Sequence, residues 1–142
     1  MFKGEHKFNI DDKGRVIIPA KMREALGTEF VLVKGFEKCL SLYSQEAWAL
    51  REQELLQQSA DKAEARAFIR LYLSGAEDME LDKQGRVVIP PAYREYASLA
   101  KEVIIIGAGS SIEIWAVDAW QAYKAKYAGQ FEQLAEKMAA LL

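Results

Sequence analysis

Apolar and polar positions along the chain predict short strands and helices, beginning with a strand, a turn and a second strand. Apolar side chains alternate with polar ones over residues 8–10, a turn sequence follows at 11–14, and 16–18 is an apolar run. Gly14 supplies the positive φ angle that hairpin turns require. A short helix over 20–26 is predicted next, with Gly27 as its stop signal.

The following segment predicts a second strand pair and then two helices. The apolar stretches 30–33 and 40–43 are separated by a glycine-containing connection. Helical spacing then extends over 45–57 and 61–73, with a break near Ser59. At the C-terminus, apolar side chains spaced three and four residues apart predict one amphipathic helix, which packs on its own domain or against a neighbouring subunit. They are Trp120, Tyr123, Tyr127, Phe131, Leu134, Met138 and Leu141.

The pattern occurs twice, because residues 10–24 (IDDKGRVIIPAKMRE) recur at 81–95 as LDKQGRVVIPPAYRE. Eight of the fifteen positions are identical, where unrelated segments share roughly one. The likeness continues at an offset of 72 from 30–48 to 102–120, and both copies predict a proline at the first position of the short helix. The chain is therefore a repeat of about 71 residues, with units predicted at 1–73 and 74–142.

Size and composition indicate a globular protein whose two halves share a core. Each half of the 142-residue chain lies near the lower limit of independent stability. The content of 51% hydrophobic and 28% charged residues is ordinary for a folded domain. No apolar run approaches the roughly 20 residues that a membrane span needs, and the first residues do not resemble a signal peptide. With the single Cys39 as well, we expect a cytoplasmic protein without a membrane partner.

Charge differs between the copies although the net charge is only −2. Residues 1–23 carry a balance of +3, and the equivalent 74–94 carry −1. The basic residues of the first stretch are Lys3, Lys7, Lys13, Arg15, Lys21 and Arg23. Only the first copy therefore has the electrostatic character of an anion-binding surface.

The motif Asp-x-x-Gly-Arg-Val-x-Ile-Pro, present in both copies, carries the candidate chemistry. Arg15 follows the turn at the start of a strand, so its guanidinium can contact phosphate or the guanine edge. Asp11 is placed to accept hydrogen bonds from turn amides or to orient Arg15. The alternative is a purely structural Asp–Arg clamp. We favour DNA contact for Arg15 and the clamp for the acidic copy, Asp82 with Arg86.

The sequences DDKGRVIIPAKMRE and DKQGRVVIPPAYRE resemble the SpoVT–AbrB DNA-binding element, and two such elements in one chain resemble the MraZ family. The resemblance implies an α+β fold in which swapped hairpins form one β-barrel with pseudo-twofold symmetry and flanking helices. It also implies a nucleoid-associated transcriptional regulator of the division and cell-wall gene cluster. Such a regulator binds repeats in its own promoter on double-stranded DNA as a ring-like homo-oligomer above a dimer.

Carried over by position, Arg15 comes first among the DNA-contacting residues, followed by Lys13 and then the basic neighbours Lys3, Lys7 and Lys21. Single-element relatives often carry two consecutive arginines on the short helix, whereas Arg23 and Arg94 are each followed by glutamate here. A salt-bridged structural role for these two arginines is therefore an alternative to DNA contact.

Other functions have weaker support in the sequence. His6 is the single histidine, so serine–histidine–aspartate triads and histidine metal sites are excluded, and we expect no catalytic residue, metal or cofactor. The glycines at 107–109 are not followed by a predicted helix, so a phosphate-binding loop is not expected. Two non-enzymatic alternatives stay open: an antitoxin-type DNA-binding protein and an assembly scaffold that does not bind DNA.

Overall fold

The computed structural model describes residues 1–58 and 61–139, which form eight strands and six helices. The predicted α+β class is confirmed. In chain order the elements are β1 (Glu5–Asn9), β2 (Arg15–Ile17), α1 (Ala20–Leu26), β3 (Glu29–Lys34), a 3₁₀ turn (Phe36–Lys38), β4 (Leu40–Ser44), α2 (Gln45–Leu56), α3 (Ala63–Ser74), β5 (Glu77–Glu80), β6 (Arg86–Val88), α4 (Pro91–Tyr96), β7 (Glu102–Gly107), β8 (Ile112–Ala116), α5 (Val117–Tyr127) and α6 (Phe131–Met138).

The two copies exchange their first strands. The strands form a six-stranded antiparallel sheet in the order β1-β7-β8-β4-β3-β5 and a two-stranded ribbon of β2 and β6. Thus β1 of the first copy pairs with β7 of the second, and β5 of the second copy pairs with β3 of the first. The described strands of the ribbon do not pair with those of the large sheet, so the structure has two sheets and not one closed barrel.

The strand register is symmetric under exchange of the copies. In the ribbon Val16 lies opposite its own counterpart, Val87. Reciprocal backbone hydrogen bonds extend this symmetry, because Ile18 donates to Gly85 over 2.9 Å and Ile89 donates to Gly14 over 2.8 Å. Both glycines have the positive φ expected of the turns, 79° at Gly14 and 77° at Gly85. Each turn is therefore connected to the strand end of the other copy.

One core is shared by the two copies, as the sequence predicts. Val16, Ile18, Val87 and Ile89 are fully buried and lie in one cluster with apolar side chains from both halves of the six-stranded sheet. The opposite face of that sheet is covered by helices in two smaller clusters. One of these surrounds Trp48 in the first copy, and the other surrounds Trp115 in the second. The ribbon therefore lies with α1 and α4 on one face of the large sheet, and α2, α3 and α5 lie on the other.

The predicted single C-terminal helix is wrong. Helix α5 ends at Tyr127 and α6 begins at Phe131, with Gly129 between them. Glycine costs about 1 kcal/mol relative to alanine inside a helix, and an added Cβ at Gly129 would have no neighbour within 4 Å to offset that cost. The last apolar position of the predicted stripe, Leu141, and the predicted break near Ser59 lie outside the described residues.

Helix α1 has the predicted bounds, but the two prolines expected at the first helical position lie one residue before the short helices. Pro19 and Pro90 occupy the N-cap positions of α1 and α4 with ψ angles of 135° and 149°, and Pro91 takes a position in the first turn. Proline suits both kinds of position because it needs no amide partner there. No helix in the described part of the chain is long and apolar enough to cross a membrane.

Candidate nucleic-acid interface

Asp11 caps the first turn and also holds the guanidinium of Arg15. Its Oδ1 accepts the backbone N–H groups of Lys13 and Arg15 over 2.9 and 2.8 Å. Its Oδ2 accepts Nε of Arg15 over 2.6 Å. The backbone amide of Gly14 closes the turn by donating to the Asp11 carbonyl over 3.0 Å. One carboxylate therefore performs both of the roles considered for it.

The second copy contains the same arrangement. Oδ1 of Asp82 accepts the backbone amides of Gln84 and Arg86, each over 2.9 Å, and Oδ2 accepts Nε of Arg86 over 2.7 Å. The Arg86 side chain is 27% exposed and that of Arg15 is 28% exposed. Clamp geometry therefore does not distinguish the copies, although charge does.

Hydrogen bonding to the charged carboxylates of Asp11 and Asp82 lowers their pKa. The backbone amide of Arg15 is the largest cause that lowers the pKa of Asp11, and the Arg15 guanidinium adds to it. The pKa of Asp82 is lowered in the same way by the backbone amide and side chain of Arg86. Both carboxylates are thus stabilised as anions, and the paired arginines are held on stiff turns.

The ribbon brings the two arginines onto one surface. Arg15 lies opposite Val88, and Ile17 lies opposite Arg86. Directly opposed side chains in an antiparallel pair share a face, and Val16 with Val87 occupies the buried face. Both guanidinium groups therefore lie on the outer face of the ribbon. Sequence patterns missed this neighbourhood because periodicity assigns faces to a strand but does not identify its partner.

The predicted basic residues do not all lie at this ribbon. Lys13 is in the turn beside Arg15, and Lys21 is exposed on α1. Lys7 lies on β1 and forms an ion pair of 3.1 Å with Glu102 of the other copy. Lys3 precedes the far end of β1, and that five-residue strand, roughly 15 Å long, separates it from the turn.

Lys101 is a cation near the first turn that the sequence did not indicate. Its carbonyl accepts the backbone amide of Ile10 over 2.7 Å, and the residue lines a surface depression with 9–12. It belongs to the second copy and reaches this place because β1 pairs with β7. Only knowledge of the strand exchange could have revealed it.

The predicted lysines of the first copy have no basic counterparts at the aligned positions of the second copy. At an offset of 71 residues the four lysines align with uncharged or acidic residues of the second copy. The aligned pairs are Lys3 with Ser74, Lys7 with Asp78, Lys13 with Gln84 and Lys21 with Ala92.

Arg23 and Arg94 each contact the turn of the other copy and the end of their own strand. Nε of Arg23 donates to the Ile18 carbonyl over 2.7 Å, and Nε of Arg94 donates to the Ile89 carbonyl over 3.0 Å. A Cβ added at Gly14 would lie 2.9 Å from Cζ of Arg94, so each guanidinium lies close against the other copy's turn. Within the described residues neither arginine forms an ion pair with a glutamate, so their partners differ from the salt bridges considered above.

Comparison with known proteins gives a consistent result over the whole chain. The family model described as "MraZ protein, putative antitoxin-like" matches residues 1–71 and 72–141. The chain is 47% identical to the transcriptional regulator MraZ of Desulforamulus reducens over 142 residues, the full length of both proteins. It is 49% identical to the regulator of the same name from Moorella thermoacetica, covering 97% of this chain and 96% of the relative. For that of Pelotomaculum thermopropionicum the identity is 50%, covering 99% and 97%. The chain belongs to the MraZ family, which is non-enzymatic.

Proposed function

We propose that this protein is a sequence-specific transcriptional regulator that contacts double-stranded DNA with the outer face of the β2–β6 ribbon. The observation that carries the proposal is the pair of clamped guanidinium groups on that face. The charge balance is +3 over residues 1–23 and −1 over 74–94, so the first copy is the more basic one. An arginine held at Nε keeps its Nη groups as donors, and a two-stranded ribbon fits the major groove. Relatives that are named transcriptional regulators support the same function.

Arg15 is the first DNA-contacting residue in this proposal, and Lys13 is the second. Lys21, Lys7 and Lys3 add positive charge farther from the ribbon, with Lys7 partly neutralised by Glu102. Asp82 and Arg86 hold the second turn, and acidic surroundings make Arg86 the weaker contact. The first unit, 1–73, thus supplies the DNA-binding charge, and the second, 74–142, completes the sheet.

The assembly proposal follows from the small size of one basic surface. A single chain offers few phosphate contacts, whereas repeated surfaces on a ring-like homo-oligomer raise affinity through effective concentration. The targets we propose are repeats in the protein's own promoter, at the division and cell-wall gene cluster, in a nucleoid-associated cytoplasmic setting. The ribbon and the large sheet would act as opposing walls of one barrel-like unit around the shared core.

An antitoxin-type function is the second candidate, favoured by the wording of the matching family description. An antitoxin combines DNA binding with a segment that blocks a toxin. Loss of the gene would then be toxic unless a partner gene were removed too, whereas loss of a regulator changes transcript levels. A scaffold without DNA binding would not need the basic character of the first copy.

Fluorescence anisotropy with the protein's own upstream DNA tests the proposal, with a scrambled duplex at the same salt concentration as reference. Arg15→Ala is expected to lose about 1–3 kcal/mol per contact on the upstream DNA, roughly a 5- to 150-fold loss of affinity. Lys13→Ala is expected to weaken binding to both duplexes. The slope of log affinity against log salt concentration is expected to decrease by about one.

Arg86→Ala is the matched control, because it removes the same clamp from the other copy. Circular dichroism establishes that each variant is folded. If Arg86→Ala loses specific binding while Arg15→Ala keeps it, the main DNA contact lies in the second copy, and the assignment to the first copy is wrong. Retention of specificity by both variants would exclude the ribbon as the DNA-binding face.

A further inference from the structure

The outer face of the ribbon carries two exposed apolar side chains. Ile17 is 39% exposed and Val88 is 51% exposed, whereas Val16 and Val87 on the inner face are fully buried. Ile17 and Val88 correspond at an offset of 71, so both copies place a β-branched apolar residue at the same point of the repeat. Burial in the shared core therefore does not account for this pair.

Strand pairing places the two apolar side chains among the clamped arginines. Val88 lies directly opposite Arg15, and Ile17 lies directly opposite Arg86. Directly opposed residues have Cβ atoms about 4.5–5.5 Å apart, and diagonal neighbours are about 7–8 Å apart. The four side chains therefore form a compact grid, with the guanidinium groups on one diagonal and the apolar groups on the other.

This grid matches the chemistry of the DNA major groove. A guanidinium donates to the O6 and N7 acceptors of guanine, and an apolar side chain contacts the C5-methyl group that marks thymine. The diagonal of about 7–8 Å corresponds to about two base-pair steps of about 3.4 Å each. Polar and apolar contacts from one ribbon therefore fall on neighbouring base pairs.

The setting of the apolar pair favours DNA over a protein partner. A polyanion neutralises the two adjoining guanidinium groups, whereas a second ribbon stacked on this face would bring four of them together, which is unfavourable. Two side chains are also far fewer than the roughly 20–30 residues that each partner contributes to a stable protein interface. Isoleucine and valine are stiff at χ1, so little side-chain entropy is lost when they are ordered by a contact.

We propose that Ile17 and Val88 contact thymine methyl groups in the major groove and so select thymine beside the contacts of Arg15 and Arg86. This inference rests on the proposed DNA-binding function and specifies which bases the ribbon recognises. Each of the two residues contacts a different thymine, and the two thymines lie about two base pairs apart. The high strand propensity of isoleucine and valine, the other explanation for their presence, predicts no dependence on a thymine methyl group.

Replacement of thymine by deoxyuridine tests the contact from the DNA side. The exchange removes the methyl group and keeps the O4 acceptor, and it leaves the protein unchanged. Thymines of the protein's own upstream duplex are replaced one at a time, and wild-type affinity is measured by fluorescence anisotropy. We expect two sensitive thymines in the bound site, each with a loss of about fourfold, as expected for one buried methyl group.

Serine variants connect each thymine with its protein partner. Ile17→Ser is expected to lose the sensitivity at one of the two thymines, and Val88→Ser is expected to lose it at the other, because a methyl group matters only while its partner is present. Leu50→Ser is the matched control, since Leu50 is 63% exposed on α2, away from the ribbon. It is expected to keep both sensitivities, and circular dichroism establishes that all three variants are folded.

The outcomes separate this contact from the proposed function. Specific binding by the wild type with equal affinity for thymine and deoxyuridine duplexes overturns the contact and leaves the proposed function standing. A deoxyuridine effect that persists in both serine variants reflects DNA shape and also overturns the contact. So does a changed mass of these variants in light scattering with unchanged thymine dependence, which would assign the face to another copy of the chain. Absence of specific binding by the wild type overturns both proposals.

Discussion

Arg15 and Arg86 are held by the same set of hydrogen bonds, so a functional difference between them has to come from their neighbours. Within the turns Asp12 of the first copy corresponds to Lys83 of the second, and Lys13 corresponds to Gln84. The backbone amides of Lys13 and Gln84 donate to the clamp carboxylate over 2.9 Å. Their side chains are therefore free to vary without loss of the turn, and the charge of the surface can change while its geometry is kept.

The clamp also makes a prediction about acid stability. The pKa of Asp11 and Asp82 is lowered from an ordinary value of 3.8 by the arginine backbone amide and then by the guanidinium. A carboxylate with a lowered pKa in the folded state contributes stability above its unfolded pKa, and that contribution is lost as the pH falls through the folded pKa. The melting temperature of Asp11→Asn/Asp82→Asn is therefore expected below that of wild type at pH 7, with a gap that narrows below about pH 4.

The exposed neighbour Asp12 provides the control for this experiment, because none of the clamp hydrogen bonds involves its side chain. Asp12→Asn is expected to follow the wild-type melting curve across the same pH series. A gap between the double variant and wild type that stays constant down to pH 2 would contradict the clamp explanation.

At the scale of elements, two adjacent isoleucines at the end of strand β2 lie on opposite faces of the ribbon, one buried and one exposed. Ile18, just after the strand, is fully buried, whereas Ile17 is 39% exposed. Ile18→Asp is expected to abolish the cooperative thermal transition, because it buries an unpaired charge in the shared core. Ile17→Asp makes the same chemical change one residue earlier and is expected to leave a folded protein. Thermal circular dichroism compares them, and equal unfolding of both variants would contradict the assigned faces.

Sequence patterns predicted individual elements better than their partners. The turn at Gly14, the strand predicted from the apolar run 16–18 and the helix α2 follow from local chemistry, and all are present. The pairing of β1 with β7 could not be predicted from spacing, because the apolar alternation of a strand is satisfied by any partner of the right register. The position of Lys101 beside the first turn was missed for the same reason.

The C-terminal error has a different cause. Apolar spacing of three and four residues continues across Gly129, so the stripe predicted one helix. The glycine ended that helix because no tertiary contact compensates for its low helical propensity. The ion pair of Lys7 with Glu102 likewise joins residues far apart in sequence, so the charge count of the first copy overestimated the free charge near Arg15.

At the scale of the whole molecule, the shared core predicts that the two copies unfold together. Trp48 lies in the first copy's helix cluster, and Trp115 with Trp120 lies in the second's. In Trp48→Phe the remaining tryptophan fluorescence reports the unfolding of the second copy. In Trp115→Phe/Trp120→Phe it reports the unfolding of the first copy. Each fluorescence midpoint in urea is expected to coincide with the circular dichroism midpoint of the same variant, as two-state unfolding requires. Separate midpoints would indicate independent halves.

Strand exchange also bears on what a single repeat could do by itself. A chain of one repeat would have to borrow its edge strand and its ribbon partner from a second chain, so its folding would depend on protein concentration. The covalent tandem makes that step intramolecular, at an effective concentration in the millimolar range for short connections. In a pair of identical chains every substitution would appear on both sides of the ribbon. Fusion permits Asp12 and Lys13 in one turn and Lys83 and Gln84 at the same places in the other, so a symmetric frame can present an asymmetric surface.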